Sequence, residues 1–293
     1  MCADFCRSGK TSAVCGKATV FFHTKALPEL AEELFSHSAY RKDDLCAVGV
    51  SSRPRDAQGS YMPCFLAGVS FASALAFSHG IPLYTFSHQQ GHIKAALYSS
   101  TPDFPNDEQF ISFHVSGGTT DIVLCHRESG SILCEKIGGT TDLNAGQAID
   151  RTGVRLGIPF PCGKALDELS QKSTADFGKI PVSVSGTDCS LSGLENKTNA
   201  LIEKGTASAD IAAYLFEYLS RVLTVLTENL RKEYGDIPVL FAGGVMANSR
   251  IRQNLLKIQN VYFASPSLSS DNACGIGIMA YECALRLRLR EKT

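Results

Sequence analysis

Apolar positions along the chain change period several times, and each change marks an element. From Ala26 to His37, Leu27, Leu30, Leu34 and Phe35 recur at helical spacing, with Pro28 placed for a first turn. Ala47–Val50 is a short apolar run that predicts a buried strand. Phe65–Phe77 is small and apolar throughout, the composition of a tightly packed helix. Pro82–Phe86 predicts a strand running into His88. Phe110–Val115 alternates, Ser116-Gly117-Gly118 turns the chain, and Asp121–His126 and Ser131–Ile137 complete a meander. Helical periods then cover Leu143–Leu156, Lys164–Lys172 and Ser208–Tyr234. Ile237–Ala242 predicts a buried strand ending in Gly243-Gly244, followed by a helix from Ser249. Val261–Ala264 is the last predicted strand and Asp271–Leu287 the last helix. Strands alternating with helices predict an α/β fold, with the meander opening a second subdomain. The first 17 residues carry no clear period.

Composition narrows the function classes. A chain of 293 residues has room for two domains. Hydrophobic residues make up 44% and charged residues 19%, an ordinary globular balance. Lys plus Arg (28) nearly cancels Asp plus Glu (29), so no global field draws the protein onto nucleic acid. No apolar run reaches the roughly 18–20 residues that span a bilayer, and no hydrophobic leader opens the chain. The expected address is the cytoplasm, with no membrane partner. The 11 cysteines include no CxxC pair and several sit in apolar runs, as Cys125 does. They read as reduced, buried thiols rather than a disulfide or zinc framework. Arg7-Ser8-Gly9-Lys10-Thr11 resembles a phosphate-binding GKT loop, but Asp4 stands where that loop needs its first glycine.

Four stretches could carry chemistry. His88 and His92 stand at i and i+4 and share a face if helical, as two metal ligands or as two structural histidines. Gln89 stands where an HExxH protease would place its general base. His114-Val115-Ser116-Gly117-Gly118 is a strand and glycine turn whose backbone N–H groups could meet a phosphate, or a plain hairpin. Phe241-Ala242-Gly243-Gly244 runs into Asn248 and Ser249, suited to a nucleotide at a strand's carboxyl end or to simple capping. Asp271 precedes the last helix, as an N-cap or as an oxygen ligand to complete a two-histidine site.

Taken in this order, these stretches resemble the tRNA N6-adenosine threonylcarbamoyltransferases, formerly called O-sialoglycoprotein endopeptidases or glycoproteases. Asp142–Asp150 followed by Leu156–Gly163 looks like the family's DDAAGEAFD-like helix and its LGL-x-YPGG turn. Ser190-Leu191-Ser192-Gly193-Leu194 looks like its SFSGLK. The resemblance runs over Leu83–Ala280, and Ala26–Ala31 looks like the family's PELA helix start. It implies a two-domain, actin/hexokinase/Hsp70-like α/β fold. The domains would be 18–108, joined by 271–293, and 109–270.

What the resemblance implies for function is specific. Members transfer a threonylcarbamoyl group from threonylcarbamoyl-AMP to N6 of the adenosine beside the anticodon, in tRNAs reading codons that begin with A. They are N6-L-threonylcarbamoyladenine synthases, working with partner proteins of a tRNA-modification complex. His88, His92 and Asp271 would hold one divalent metal ion, iron or zinc. His114, Val115, Ser116, Gly117, Gly118, Asp150, Gly163 and Asn248 would contact the adenylate. Arg286, Arg288, Arg290 and Lys292 near the carboxyl end could meet tRNA phosphates or form a solvated tail.

Departures mark a divergent bacterial member. Residues 1–17 match nothing in the family, so the first domain is expected to lack its opening strands. Ser51–Tyr61 replaces the family's T-x-GPGL-x-G loop, Cys162 the first glycine of PGG, Gln147 the Glu of GEAFD, and Glu195 the Lys of SGLK. A paralogue that binds adenine nucleotide or a partner subunit without catalysis is the alternative. A metallopeptidase, lacking Glu at 89, is the weakest reading.

Overall fold

A computed structural model describes residues 12–37, 41, 44–100, 104–128, 131–268 and 273–290. The candidate ligand Asp271 and the terminal Lys292 lie outside these residues, as does the GKT-like stretch. The chain divides into two compact units. Met1–Ala95, Glu128–Cys134 and Asn272–Thr293 form the first; Ala96–Arg127 and Glu135–Asp271 form the second. Among the described residues no helix is long and apolar enough to cross a membrane.

The first unit opens with α1 (Ser12–Ser36), where the sequence predicts a helix only from Ala26. Pro28 lies inside this helix rather than in its first turn. A proline removes one backbone hydrogen bond, at a cost of about 3 kcal/mol. Packing of α1 on α2 (Cys64–His79) offsets that, with Ala26, Leu27, Ala31 and Phe35 half-buried. Helix α2 joins two parallel strands, β1 (Val48–Arg53) and β2 (Leu83–Ser87), paired from Val48 with Leu83. Gly80 ends α2 at φ +64°, its N–H reaching the carbonyls of Ala76 and Phe77. Helix α9 (Cys274–Arg290) lies against this pair, and Phe86, Ile276, Met279 and Ala280 form a small core. Arg286, Arg288 and Arg290 are exposed on its last turns.

The second unit is built on a seven-stranded sheet, of which only the Glu128–Cys134 stretch falls to the first unit. Its strands are β3 (Gln109–Val115), β4 (Thr120–Glu128), β5 (Ser131–Thr140), β6 (Val184–Ser185), β7 (Asp188–Cys189), β8 (Val239–Ala242) and β9 (Val261–Phe263). Their order in space is β6-β7-β5-β4-β3-β8-β9. The predicted meander is present, and β8 and β9 add to β3 in parallel. Phe113, Phe241 and Phe263 fall in register across β3, β8 and β9 and stack, with ring centroids 4.6 and 5.5 Å apart. Helix α7 (Ser208–Tyr234) covers that face, burying Ile211, Leu215, Leu219, Val222, Leu226 and Leu230 at spacings of three and four.

Around this core lie α4 (Ala145–Arg155), α5 (Gly163–Ser170), α6 (Ser192–Glu203) and α8 (Ser249–Leu255). The sequence pattern does not predict α6. Asp142 organises its start: Oδ1 accepts from the N–H of Leu143 (2.6 Å) and Leu191 (2.8 Å). Oδ2 accepts from Ser190 Oγ (2.6 Å) and the Ser192 N–H (3.2 Å). Cys134, Cys162 and Cys189 are buried thiols, as expected of a reduced chain.

Candidate functional site

Helix α3 (His88–Ser99) begins at the first predicted ligand for a local reason. Ser87 and Gln90 cap it reciprocally. The Ser87 N–H donates to Gln90 Oε1 (2.6 Å) and the Gln90 N–H to Ser87 Oγ (3.1 Å). His88 and His92 therefore share one face. Their Nε2 atoms are 3.0 Å apart and their rings are near-perpendicular, with Phe65 beside His88. Among the described residues no group of three or more His, Cys, Asp or Glu side chains could hold a metal. The Gln89 N–H donates to the Pro54 carbonyl (3.0 Å), which ties the divergent Ser51–Tyr61 loop to the start of α3.

The second unit contains a cleft of about 420 Å³. Gly117, Asp150, Gly163 and Asn248, from four separate sequence stretches, line it together. Two other glycines close its walls. A side chain on Gly243, at φ +101°, would collide with the Val115 carbonyl, so β8 ends tight against β3. A Cβ on Gly146 would sit 2.5 Å from Gly117 Cα, so α4 starts against the β3–β4 turn. Gly117, Gly163 and Gly244 are different. Among the described residues, no atom other than their chain neighbours and their own helix backbone lies within 4 Å of where their Cβ would be, and none has positive φ. Neither packing nor backbone conformation demands glycine there.

The remaining turn residues serve other purposes. Val115 is packed in the core, and His114 sits in β3 opposite Asp121 and Ala242. The Ser116 hydroxyl accepts from the Thr119 N–H (3.2 Å), and the Gly118 carbonyl accepts from Asn144 Nδ2 (3.0 Å). None of these four residues is among those lining the cleft.

Asn248 is 7% exposed and caps α8, its Oδ1 accepting from the Ile251 N–H (2.9 Å). Its Nδ2 is buried and has no hydrogen-bond partner among the described residues. Asp150 Oδ1 accepts from the Cys162 N–H (2.9 Å). The Cys162 thiol fills the space left by Gly153, and burial, then the charge of Asp150, pushes it up. Gln147 does the work of an N-terminal helix cap: its Oε1 accepts from the Asn144 N–H (3.1 Å). Glu195 pairs with Arg151 (3.0 Å) and so joins α6 to α4.

Three cleft residues escape the sequence reading: Lys164, Asp167 and Phe216. Asp167 holds the start of α8, accepting from the Ser249 N–H (3.0 Å) and Oγ (2.8 Å). Its signal was its place four residues after Gly163, on the same face of α5. Phe216 carries no signal distinct from the core stripe of α7.

The chain matches the profile of the tRNA N6-adenosine threonylcarbamoyltransferase family over residues 18–278. It belongs to that family. Relatives named tRNA N6-adenosine threonylcarbamoyltransferase agree. One from Bacillus licheniformis is 34% identical over 284 residues, covering 90% of this chain and 79% of that protein. Another from Carboxydothermus hydrogenoformans is 34% identical over 270 residues, covering 88% and 77%. A third from Methanopyrus kandleri is 27% identical over 273 residues, covering 90% and 76%. Two solved structures share the fold. Full-length HypF in its phosphate- and nucleotide-bound form has a TM-score of 0.55 at 17% identity, over 76% of this chain and 38% of that one. HypF from T. kodakarensis has a TM-score of 0.58 at 15% identity, over 77% and 39%. The threonylcarbamoyltransferase-family chain thus has the expected actin/hexokinase/Hsp70-like α/β fold.

Proposed function

We propose that this chain transfers the threonylcarbamoyl group of threonylcarbamoyl-AMP to N6 of the adenosine beside the anticodon, in tRNAs reading codons that begin with A. It works in the cytoplasm with partner proteins of a tRNA-modification complex. The observation that carries this reading is the amide donor of Asn248, a residue lining the cleft, which is buried with no acceptor among the described residues. An unsatisfied buried donor costs about 1–3 kcal/mol, which a nucleotide acceptor entering the cleft offsets.

The rest of the cleft suits the same ligand. The adenylate lies against the bare backbone of Gly117, Gly163 and Gly244. Ile149, Pro161 and Val245 offer an apolar wall to the base. Asp150, with Oδ1 committed to Cys162, turns its other oxygen to a ribose hydroxyl. His114, Val115, Ser116 and Gly118 flank the lining residue Gly117 and would reach the adenylate through main-chain atoms.

The reaction needs no protein nucleophile. The donor is a mixed anhydride: the tRNA amine attacks its carbonyl carbon, the bond from that carbon to the phosphate oxygen breaks, and AMP leaves while the amine loses a proton. The protein positions the donor carbonyl and stabilises developing negative charge with backbone N–H groups at Gly117 and Gly244. We assign a divalent ion, iron or zinc, to His88 and His92, with Asp271 as the third ligand the family resemblance implies. The pair fits: nitrogens 3.0 Å apart can both lie about 2.0–2.1 Å from one ion. When bound, the metal supplies Lewis-acid and templating chemistry.

Calorimetry with a non-hydrolysable threonylcarbamoyl-adenylate analogue tests the reading, followed by transfer to tRNA with partners present. Failure of the folded protein to bind the analogue overturns it. Binding without transfer would favour the non-catalytic paralogue. The peptidase reading gains nothing, since Gln89 stands at the base position with its backbone tied to Pro54.

A further inference from the structure

We infer that Lys164 reads the anionic group of the donor nucleotide, so that it is a binding and specificity residue of this cleft. The inference rests on the adenylate reading above. It starts from the condition of the first turn of α5, where three features coincide. The N-cap residue Cys162 makes no side-chain cap, and its own N–H is taken by Asp150. No acidic residue occupies the turn. Lys164 stands there instead, exposed and lining the cleft.

A cation in the first turn opposes the helix dipole, and the opening N–H groups of a helix ordinarily receive a cap or an anion. Here the protein supplies neither. Asp150 and Asp167 line the same cleft, yet Lys164 forms an ion pair with neither of them. Asp167 is committed through both oxygens to Ser249, and Asp150 through one to Cys162. The second, independent sign of a ligand is Asn248, a lining residue 7% exposed whose Nδ2 has no partner among the described residues. Lys164, the uncapped first turn of its helix and Asn248 with its unpaired amide line one cleft, a donor set that fits an anion. The lining is otherwise net negative, so without Lys164 an anionic ligand would meet two carboxylates and no cation.

Threonylcarbamoyl-adenylate carries two such groups, the phosphate and the threonyl carboxylate, and both offer the chemistry Lys164 recognises. Three ligands separate them: adenosine, AMP and the non-hydrolysable threonylcarbamoyl-adenylate analogue. Each is titrated into the full chain and into Lys164→Gln and Lys164→Arg. If Lys164 meets the phosphate, Lys164→Gln weakens AMP and the analogue roughly tenfold, leaves adenosine unchanged, and Lys164→Arg restores most of the loss. If it meets the carboxylate, only the analogue weakens. Either pattern supports the inference and names the group. Raising salt should then weaken the affected ligand more in the wild type than in Lys164→Gln. Equal affinities of the wild type and Lys164→Gln for all three ligands overturn the inference while leaving the adenylate reading intact. A wild-type chain that binds none of the three overturns the adenylate reading and this inference with it. Matching thermal melts show that Lys164→Gln is folded, as expected for an exposed side chain.

Discussion

Gly275 of α9 lies directly on Gly91 of α3: a side chain on Gly275 would collide with the Gly91 carbonyl oxygen and come within 2.8 Å of the Ala95 nitrogen. The contact falls between His88 and His92 on the chain. A Cβ on Gly91 would in turn press Ile276 at 2.9 Å. The Lys94–Glu282 ion pair (2.7 Å) ties the same two helices one turn further on. The backbone carrying the histidine pair is therefore set by how closely α9 approaches.

Gly275→Ala should push α9 off α3. We expect a loss of about 1–3 kcal/mol, the usual range for overpacking, and a fall in zinc or iron bound per chain. Gly277→Ala is the control, since its Cβ would meet open space and alanine favours a helix. Thermal melts and metal analysis of both variants check this. Equal melting temperatures would contradict the close contact.

Asn248 performs two jobs with two atoms, and they can be separated. Asn248→Asp keeps an oxygen to cap α8, loses the unpartnered amide donor and puts a negative charge in its place. Stability should hold while affinity for the adenylate analogue falls roughly tenfold. Asn248→Ala loses the cap as well, and about 1 kcal/mol of stability with it. Denaturant melts beside calorimetry read the two effects apart.

Asp142 predicts a pH dependence. Burial works to raise its carboxyl, but the Ser190 hydroxyl, the Leu191 and Leu143 N–H groups and the Ser192 side chain outweigh that and hold it well below the usual carboxylate range. A carboxyl lower in the folded than the unfolded state stabilises the fold above its unfolded pKa, about 3.9. That stability drains away as pH falls below this value toward the folded one. Stability curves of wild type and Asp142→Asn should converge in acid and diverge toward neutrality. At neutral pH, Asp142→Ala should destabilise by about 1–3 kcal/mol.

Burial, opposed only in part by a Thr140 hydrogen bond, pushes the Cys189 thiol up to about 12. In the folded protein this cysteine should resist alkylation at pH 8, and in denaturant it should react at the ordinary rate. Peptide mass spectrometry after iodoacetamide treatment distinguishes the states; rapid native labelling at Cys189 would contradict its burial.

Much of the fold was legible along the chain, because its elements depend on near neighbours. The three-and-four spacing of α7 places both ends of that helix at Ser208 and Tyr234, and strand alternation places the meander. Helix α1 was cut short at Ala26 because Pro28 is a reliable helix-start signal locally, and only packing on α2 shows it to be internal. Helix α6 hid behind a loop because its start is organised by Asp142, about 50 positions earlier.

Local pattern along the chain establishes which chemistry-bearing residues exist and the elements that carry them: two histidines one helical turn apart, a glycine turn after β3, and an asparagine cap before α8. The tertiary structure decided that Gly117, Asp150, Gly163 and Asn248 share one cleft, and that Lys164, Asp167 and Phe216 join them. It also packed Val115 into the core and set His114 in β3 opposite Asp121 and Ala242. Periodicity reports only which face of an element avoids water. Whether two faces more than a hundred residues apart meet, and whether a buried amide finds a partner there, depends on the packing of the whole unit.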